Sequence, residues 1–318
     1  MQSVSFFGID ASKDELVIAK DGESAVRRTP NSRSAIGAWL KTLPGHARLG
    51  IEPSGRYHLL LADLAVRRGF AVYVLDPRRV HHYARALGYR GKTDRIDALV
   101  IARYLASEIE RLRAYQPPTP AQRRIDAMLR RRAKLVVMRA QLNQMSRALP
   151  GAHAAMVALR EKLSALIATL ERQAGLLAQT DPAQAALRQR LERIPSFGSL
   201  AGTALSSLFC RVPFRHADQA VAFVGLDPRP HDSGRHRGRR KLTKHGPSEL
   251  RRLLYLAAMS ASRTTLWKPF YLHDTMRGLS TTEALNVLAR RLLRVAWAIA
   301  TSGREFDPAM VRGAGPKP

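Results

Sequence analysis

The apolar positions of the first hundred residues fall in short runs that end on turn signals. Positions 4–10 (VSFFGID) form an apolar run closing on Asp10, and ELVIAK (15–20) follows after the turn-like ASKD. Two such runs across a tight connection predict a β-hairpin. AVRRTP (25–30) is a candidate third strand. SRSAIGAWLKTL (32–43) opens on a serine and carries apolar residues at helical spacing, which predicts a capped helix. ARLGIEP (47–53) reads as a strand ending at Glu52. GRYHLLLADLAVRRG (55–69) reads as a helix closed by Gly69. AVYVLD (71–76) is a strand, and Pro77 opens a new helix. KTDRIDALVIARYLA (92–106) is a strong helix, with Ile96, Leu99, Val100 and Tyr104 on one face. A strand meander followed by alternating helices and strands predicts a mixed sheet with helices packed on it, an α/β domain that places side chains at strand ends.

Beyond QPPTP (116–120), a stiff boundary, the pattern turns helical. Leu129, Leu135, Met138, Leu142 and Met145 recur at helical spacing. Val157, Leu163, Leu166 and Leu170 do the same in a second helix, and Pro150 and Gly151 separate the two. This predicts an antiparallel helical hairpin, read as a coiled coil whose stripe is a packing seam available to a second protomer. From TDPAQ (180–184) onward the chain is again mainly helical, and RIPSFGSLAGTAL (193–205) contains a turn between helices. That turn is either a phosphate-holding helix start or a plain connection. The stretch 224–252 (VGLDPRPHDSGRHRGRRKLTKHGPSELRR) breaks the pattern: it is rich in Gly, Pro, Arg, Lys and His, and reads as a long basic loop. The expected organisation is a catalytic domain over 1–115, a hairpin over 119–178, a mainly helical domain over 181–310 and a disordered tail over 311–318.

Charge narrows the function. Among 318 residues, 53 Lys and Arg face 25 Asp and Glu, a formal net charge of +28. A chain this basic calls for a polyanion, and nucleic acid is the usual one. No apolar run reaches the length of a membrane span, so a membrane partner is not expected, and a cytoplasmic, nucleoid-associated location is. The single cysteine, Cys210, permits no internal disulfide and is expected to be a buried structural thiol. No zinc spacing and no phosphate-cradling GxxxxGK[ST] occurs.

Carboxylates are scarce, which makes their placement informative. Asp10 and Glu52 each end an apolar strand, and Asp94 and Asp97 share a helix face three residues apart. Four carboxylates brought together would repel unless cations sat between them, and hard oxygen ligands suit Mg²⁺ or Mn²⁺. Two such ions can serve phosphoryl transfer. Structural readings compete at each position. Asp10 could cap the ASKDE turn, Glu52 could be a solvated strand end, and Asp94 could cap the following helix with Asp97 favoured by its dipole. Ser233, in PHDSGRHRG, is either a linker residue or a nucleophile; as a nucleophile its neighbouring guanidinium groups would stabilise the charge at phosphorus. Arg235, Arg237, Arg239, Arg240, Lys241, Lys244, Arg251 and Arg252, with Lys92 and Arg95 near the acids, are candidate nucleic-acid contacts.

The blocks FFGIDASKDELVIA, GIEPSGRYHLLLADLAVRRG and KTDRIDALVIARYL together resemble the RuvC-like domain of the DEDD insertion-sequence transposases and Piv-like DNA invertases, the IS110 family. RIPSFGSLAGTAL, VGLDPRPHDSG and LTKHGPSELRRLLYLAAMSA resemble its second conserved domain, in the expected order. The resemblance implies an RNase H/RuvC-like fold, with Asp10, Glu52, Asp94 and Asp97 as Mg²⁺ ligands. It implies Ser233 as a nucleophile forming a covalent phosphoserine with DNA. It implies donor and target DNA as partners, a structured guide ("bridge") RNA, and dimers or tetramers in which domains of different protomers complete one site. Three departures stand out. Asp232 replaces a small residue before the serine, Ser196 stands where some relatives have the glycine of an IPG turn, and HRGRRK differs from the commoner KRG form. Two other readings remain open: a RuvC-like endonuclease that uses water, and a nucleic-acid-binding protein without catalysis.

Overall fold

A computed structural model describes residues 4–312 apart from 54, 90, 92, 149–152, 230, 231, 234, 235, 238 and 239; at 146–148, 232, 233, 236, 237, 310 and 312 it describes the backbone only. The chain divides into two compact units, Met1–Pro117 and Pro118–Pro318.

The first unit is built on a five-stranded mixed sheet. β1 (Phe6–Ala11) pairs antiparallel with β2 (Glu15–Lys20), which pairs antiparallel with β3 (Val26–Pro30). On its other side β1 pairs parallel with β4 (Arg48–Ile51), and β4 with β5 (Ala71–Val74), giving the order β3-β2-β1-β4-β5. This is the mixed sheet expected of an RNase H-like domain.

Alternation along the strands sorts residues onto two faces. One face carries Ile9, Leu16, Ile18, Leu49, Ile51 and Val72. It packs on α1 (Arg33–Lys41) and α2 (His58–Arg67), through Ile36, Trp39 and Leu40 of the first and Leu61, Ala62 and Ala65 of the second. Ser32 caps α1 by accepting from the Ala35 amide. The other face carries two glycines side by side, Gly8 of β1 and Gly50 of β4. On them lies α4 (Asp94–Glu108), with α3 (Pro77–Ala86) beside it through Val80 against Val100, Ile101 and Tyr104. A Cβ on Gly8 would sit 2.2 Å from Ala98 O and Ala102 N, so helix and strand backbones touch there. A Cβ on Gly50 would meet Ile101 and Leu105 side chains at 3.2–3.3 Å.

This contact corrects the helix face expected from bulky residues. Val100 and Tyr104 are buried, but Ile96 and Leu99 are half-buried. The line against the sheet runs through Ala98, Ile101, Ala102 and Leu105 instead: the alanines let the backbones touch at Gly8, and Ile101 and Leu105 fill the space over Gly50.

In the second unit α5 (Pro120–Ala148) and α6 (His153–Ala178) form a hairpin. Arg132 binds Glu171 at 2.6 Å and Arg139 binds Ser164 at 3.1 Å, pairings that descend along one helix as they climb the other, so the two are antiparallel. At the hairpin's root Ile125, Leu129 and Ala178 pack with Ala204 and Leu253. Farther out, Met138 and Met145 of the expected seam are half exposed.

The remaining helices are α7 (Pro182–Glu192), α8 (Ser199–Arg211), α9 (Ala217–Val224), α10 (Ser248–Ala261), α11 (Lys268–Met276), α12 (Thr281–Ser302) and α13 (Ala309–Arg312). They enclose one core, whose centre is α12: Leu288, Leu292, Leu293 and Ile299 are fully buried. α12 starts on a Ser280–Glu283 capping box and stops at Gly303, φ +67°. Val311, placed in a disordered tail by its sequence, is buried in this core through α13; residues 313–318 lie outside those described. Cys210 is exposed, not buried as expected, since Ala201–Leu208 is the buried stretch of α8 and its last turn leaves the core.

The basic stretch is not an open loop. β6 (Pro228–Arg229) pairs antiparallel with β9 (Lys241–Leu242), and inside that pair β7 (Asp232–Ser233) pairs antiparallel with β8 (His236–Arg237). The two ladders are nested, so the segment is a β-hairpin arm between α9 and α10. Among the described residues no helix is long and apolar enough to cross a membrane.

Candidate active site

Asp10 and Glu52 stand side by side. Ile9 is in register with Ile51 in the parallel β1–β4 pair, and the Glu52 amide donates to Ile9 O at 3.4 Å. Each acid is thus the next residue at the C-terminal end of neighbouring strands. Both follow a glycine of the α4 face by two residues, and alternation returns them to that face. Val17 gives independent support: it is paired across from Asp10 and packs against Ala98 of α4. Both acids are half-buried.

Asp94 and Asp97 occupy the first turn of α4, Asp94 exposed and Asp97 half-buried. At helical spacing they continue the line of Ala98 and Ile101 that lies on the sheet. One of the competing structural roles falls away: Thr93, not Asp94, caps α4, its hydroxyl accepting from the Ile96 amide at 3.2 Å. In the β1–β2 turn the Ser12 hydroxyl accepts from the Glu15 amide at 3.1 Å and donates to Glu15 O at 2.8 Å.

As donors the four carboxylates suit a hard divalent cation. What the fold supplies is an adjacent pair on the sheet, with a second pair on the helix that covers the same face. Among the described residues no group of three or more His, Cys, Asp and Glu is close enough to hold an ion. The structure therefore joins Asp10 with Glu52 but does not gather all four. Of the neighbouring cations, Arg95 donates to Ser24 O at 3.0 Å, and Lys92 lies outside the described residues.

Ser233 lies near the tip of the arm, its backbone in register with His236, and Asp232 with Arg237. Arg235 and Arg239 lie outside the described residues, and so does the side chain of Arg237. Arg240, Lys241 and Lys244 are exposed. The arm's base is tightly built. Thr243 donates from its amide to Asp227 O at 3.0 Å and from its hydroxyl to the Asp227 carboxylate. Gly225 and Gly246 adopt φ +74° and +79°, and a Cβ on either would lie about 2 Å from a carbonyl oxygen, His245 O or Phe223 O.

Arg251 and Arg252, expected to touch nucleic acid, have protein partners. One Arg251 nitrogen donates to Val224 O, His245 O and Gly246 O at 2.9–3.0 Å, bridging both sides of the base. Arg252 binds Glu249 at two points, 2.6 and 2.7 Å, and Glu249 also takes Arg132 of the hairpin at 3.1 Å. Composition alone could not separate these inward arginines from outward ones. Helical spacing does not separate them either, because the buried line of α10 runs through Leu253, Leu254, Ala257, Ala258 and Ala261 and leaves both arginines beside it.

A family model described as transposase, of the DEDD IS110 type, matches residues 7–154, and one described as transposase, IS116/IS110/IS902 family, matches residues 188–272. The pilin gene-inverting protein of Moraxella bovis is 26% identical over 96% of this chain and 98% of its own length. Its counterpart from Moraxella lacunata is equally similar over the same shares. An uncharacterized 44.8 kDa protein of insertion element IS116 from Streptomyces clavuligerus is 32% identical over 37% of this chain and 30% of its own length. The two models together take in both units, each over the blocks that hold the paired acids and the arm, and the chain belongs to the IS110 family of transposases, enzymes of DNA recombination.

Proposed function

We propose that this protein cuts and rejoins DNA through a covalent serine–phosphate intermediate. Asp10, Glu52, Asp94 and Asp97 are the ligands of Mg²⁺ or Mn²⁺, and Ser233 is the nucleophile. The observation that carries this reading is the pairing of Asp10 and Glu52 at adjacent strand ends, on the face that α4 covers, in a transposase chain. A divalent cation at the carboxylates would neutralise charge and lower the pKa of a coordinated hydroxyl. The remaining chemistry belongs to the chain. Ser233 Oγ gives up its proton and forms a bond to phosphorus; the bond from phosphorus to a sugar oxygen breaks, and that oxygen takes up a proton. Attack by another sugar hydroxyl on the phosphoserine reverses the exchange, so no bond energy is lost between cutting and joining. Arginines of the arm balance the charge at phosphorus.

DNA is the substrate, in keeping with gene inversion by the Moraxella relatives, and the site of action is the nucleoid within the cytoplasm. A structured guide RNA is the second polyanionic partner, in keeping with a chain in which 53 Lys and Arg face 25 Asp and Glu. Half-exposed Met138, Met145 and Leu166 on the helical hairpin favour assembly as a coiled coil into dimers and tetramers.

The test is a reaction with labelled DNA quenched in detergent. Wild-type protein is expected to give a DNA–protein adduct that Ser233→Ala abolishes. Asp10→Asn should lose the adduct and also the Mn²⁺-induced rise in melting temperature. Free 5′-phosphate ends without any adduct would instead identify a water-using nuclease.

A further inference from the structure

The helix that follows β5 carries charge that the fold does not use. Leu75, the residue after β5, donates its amide to Ile51 O at 2.9 Å. The chain therefore leaves the sheet beside Glu52, at the strand-end edge that also carries Asp10. Asp76 then caps α3, its carboxylate accepting from the Arg78 amide at 2.9 Å. Inward, α3 offers little: Val80 is its one buried residue, and the half-buried Tyr83 meets the Tyr104 ring of α4 edge-on, 5.3 Å between centres. Outward it offers Arg78, Arg79, His81, His82 and Arg85, all exposed. Arg78, His81, His82 and Arg85 follow the i, i+3, i+4, i+7 spacing of one helix face. Among the described residues none of these five side chains makes a hydrogen bond or ion pair within the protein. No Asp or Glu occurs from 77 to 93. Arg132, Arg188, Arg251 and Arg252, by contrast, are bound to carboxylates or carbonyls. A wholly basic outer face on so lightly packed a helix adds nothing to folding, and its charges call for an external anion.

We propose that the outer face of α3 grips the phosphate backbone of substrate DNA and leads it to the edge where Asp10 and Glu52 stand. Guanidinium and imidazole N–H groups both donate to phosphate oxygens, and a row of them along one helix face follows a row of phosphates. A membrane surface is a poor match, because it needs an apolar stripe and the apolar side of α3 is packed on α4. An acidic peptide would meet the same cations, but the stripe starts at the carboxylate edge of an enzyme of DNA recombination, where a DNA strand has to pass. The contact is with backbone, so it is blind to base sequence. This inference rests on DNA as the substrate, and on neither Ser233 nor a bound metal.

The experiment is a salt titration of the full chain binding a labelled DNA duplex, without divalent metal so that nothing is cut. The double variant Arg78→Gln/Arg85→Gln is expected to lower the slope of log affinity against log salt by about 2, and affinity at physiological salt by about tenfold. Its melting temperature should match the wild type. The control is Lys41→Gln/Arg67→Gln, which removes the same charge from exposed last-turn positions of α1 and α2, on the opposite face of the sheet. It should leave the slope in place. In the wild type, bound DNA should shield His81 and His82 from diethyl pyrocarbonate, a measurement that needs no variant. An equal loss in both double variants would reduce the effect to net charge and overturn the proposal. So would histidines that react as fast with DNA as without it. An RNA duplex is titrated in parallel, and a loss confined to RNA would take the face away from DNA. Because no strand is cut, a failure of the serine chemistry leaves these outcomes unchanged.

Discussion

Ser196 is the clearest strained residue. Its φ is +80°, in the left-handed region, and its hydroxyl is buried with no partner. It sits in the turn between α7 and α8 where some relatives carry glycine, and the reason is now visible: the turn needs a conformation that only glycine adopts without cost. Ser196→Gly should therefore stabilise the protein by about 1 kcal/mol, through relief of strain and loss of an unsatisfied group. A rise of roughly 2–4 °C in the melting temperature is the expected reading, and a fall would contradict it. His58 adds a pH dependence. It opens α2 at 8% exposure with an unpartnered Nδ1. Burial lowers its pKa from 6.5, partly opposed by Asp63. The unfolded chain takes up the proton first, so stability is full above 6.5 and falls as the pH drops below it. Melting curves at pH 7.5 and 5.5 should show this loss in the wild type, and His58→Gln should flatten it.

At the scale of elements, the arm shows how geometry outruns composition. Gly246 has φ +79°, and a Cβ there would lie 1.9 Å from Phe223 O. Gly246→Ala should force the base of the arm apart. The amides of Thr243 and Lys244, which donate to Asp227 and Gly225, would then lose their hydrogen-exchange protection, while those of β1 and β2 keep theirs. Recombination should fall with them. Strands β1 to β5 and the helices among them were legible in the sequence because short apolar runs, the serine cap of α1 and the proline start of α3 agree there. The arm was not, because its two-residue ladders carry no apolar alternation, and Arg, Gly and Pro in number look the same in a loop. The packing face of α4 was misjudged for a different reason. Periodicity favours large residues, whereas this helix seats on Gly8 through Ala98 and Ala102. The paired acids were legible as residues; that Asp10 and Glu52 are neighbours depends on β1 pairing parallel with β4, a non-local contact that no local pattern encodes.

For the whole molecule, the formal charge of +28 overstates the number of phosphate contacts. Arg132, Arg188, Arg211, Arg251 and Arg252 are all engaged with carboxylates or carbonyls of the protein itself. Only cations that displace counterions from DNA enter the salt dependence, which follows a slope of about −0.9 per phosphate neutralised. Lys241 and Lys244 are exposed on the arm, whereas Arg251 donates to carbonyls at its base, so the lysines are expected to enter that slope and Arg251 is not. The two classes therefore separate by experiment. Lys241→Gln and Lys244→Gln should each reduce the slope of log affinity against log salt by about 1, with melting temperature unchanged. Arg251→Gln should lower the melting temperature and leave that slope in place, since it frees three carbonyls at the arm's base and removes no contact with DNA. If Arg251→Gln changed the slope as much as the lysine variants do, its guanidinium would be reaching phosphate, and the assignment of the arm's base as a purely structural clamp would fail.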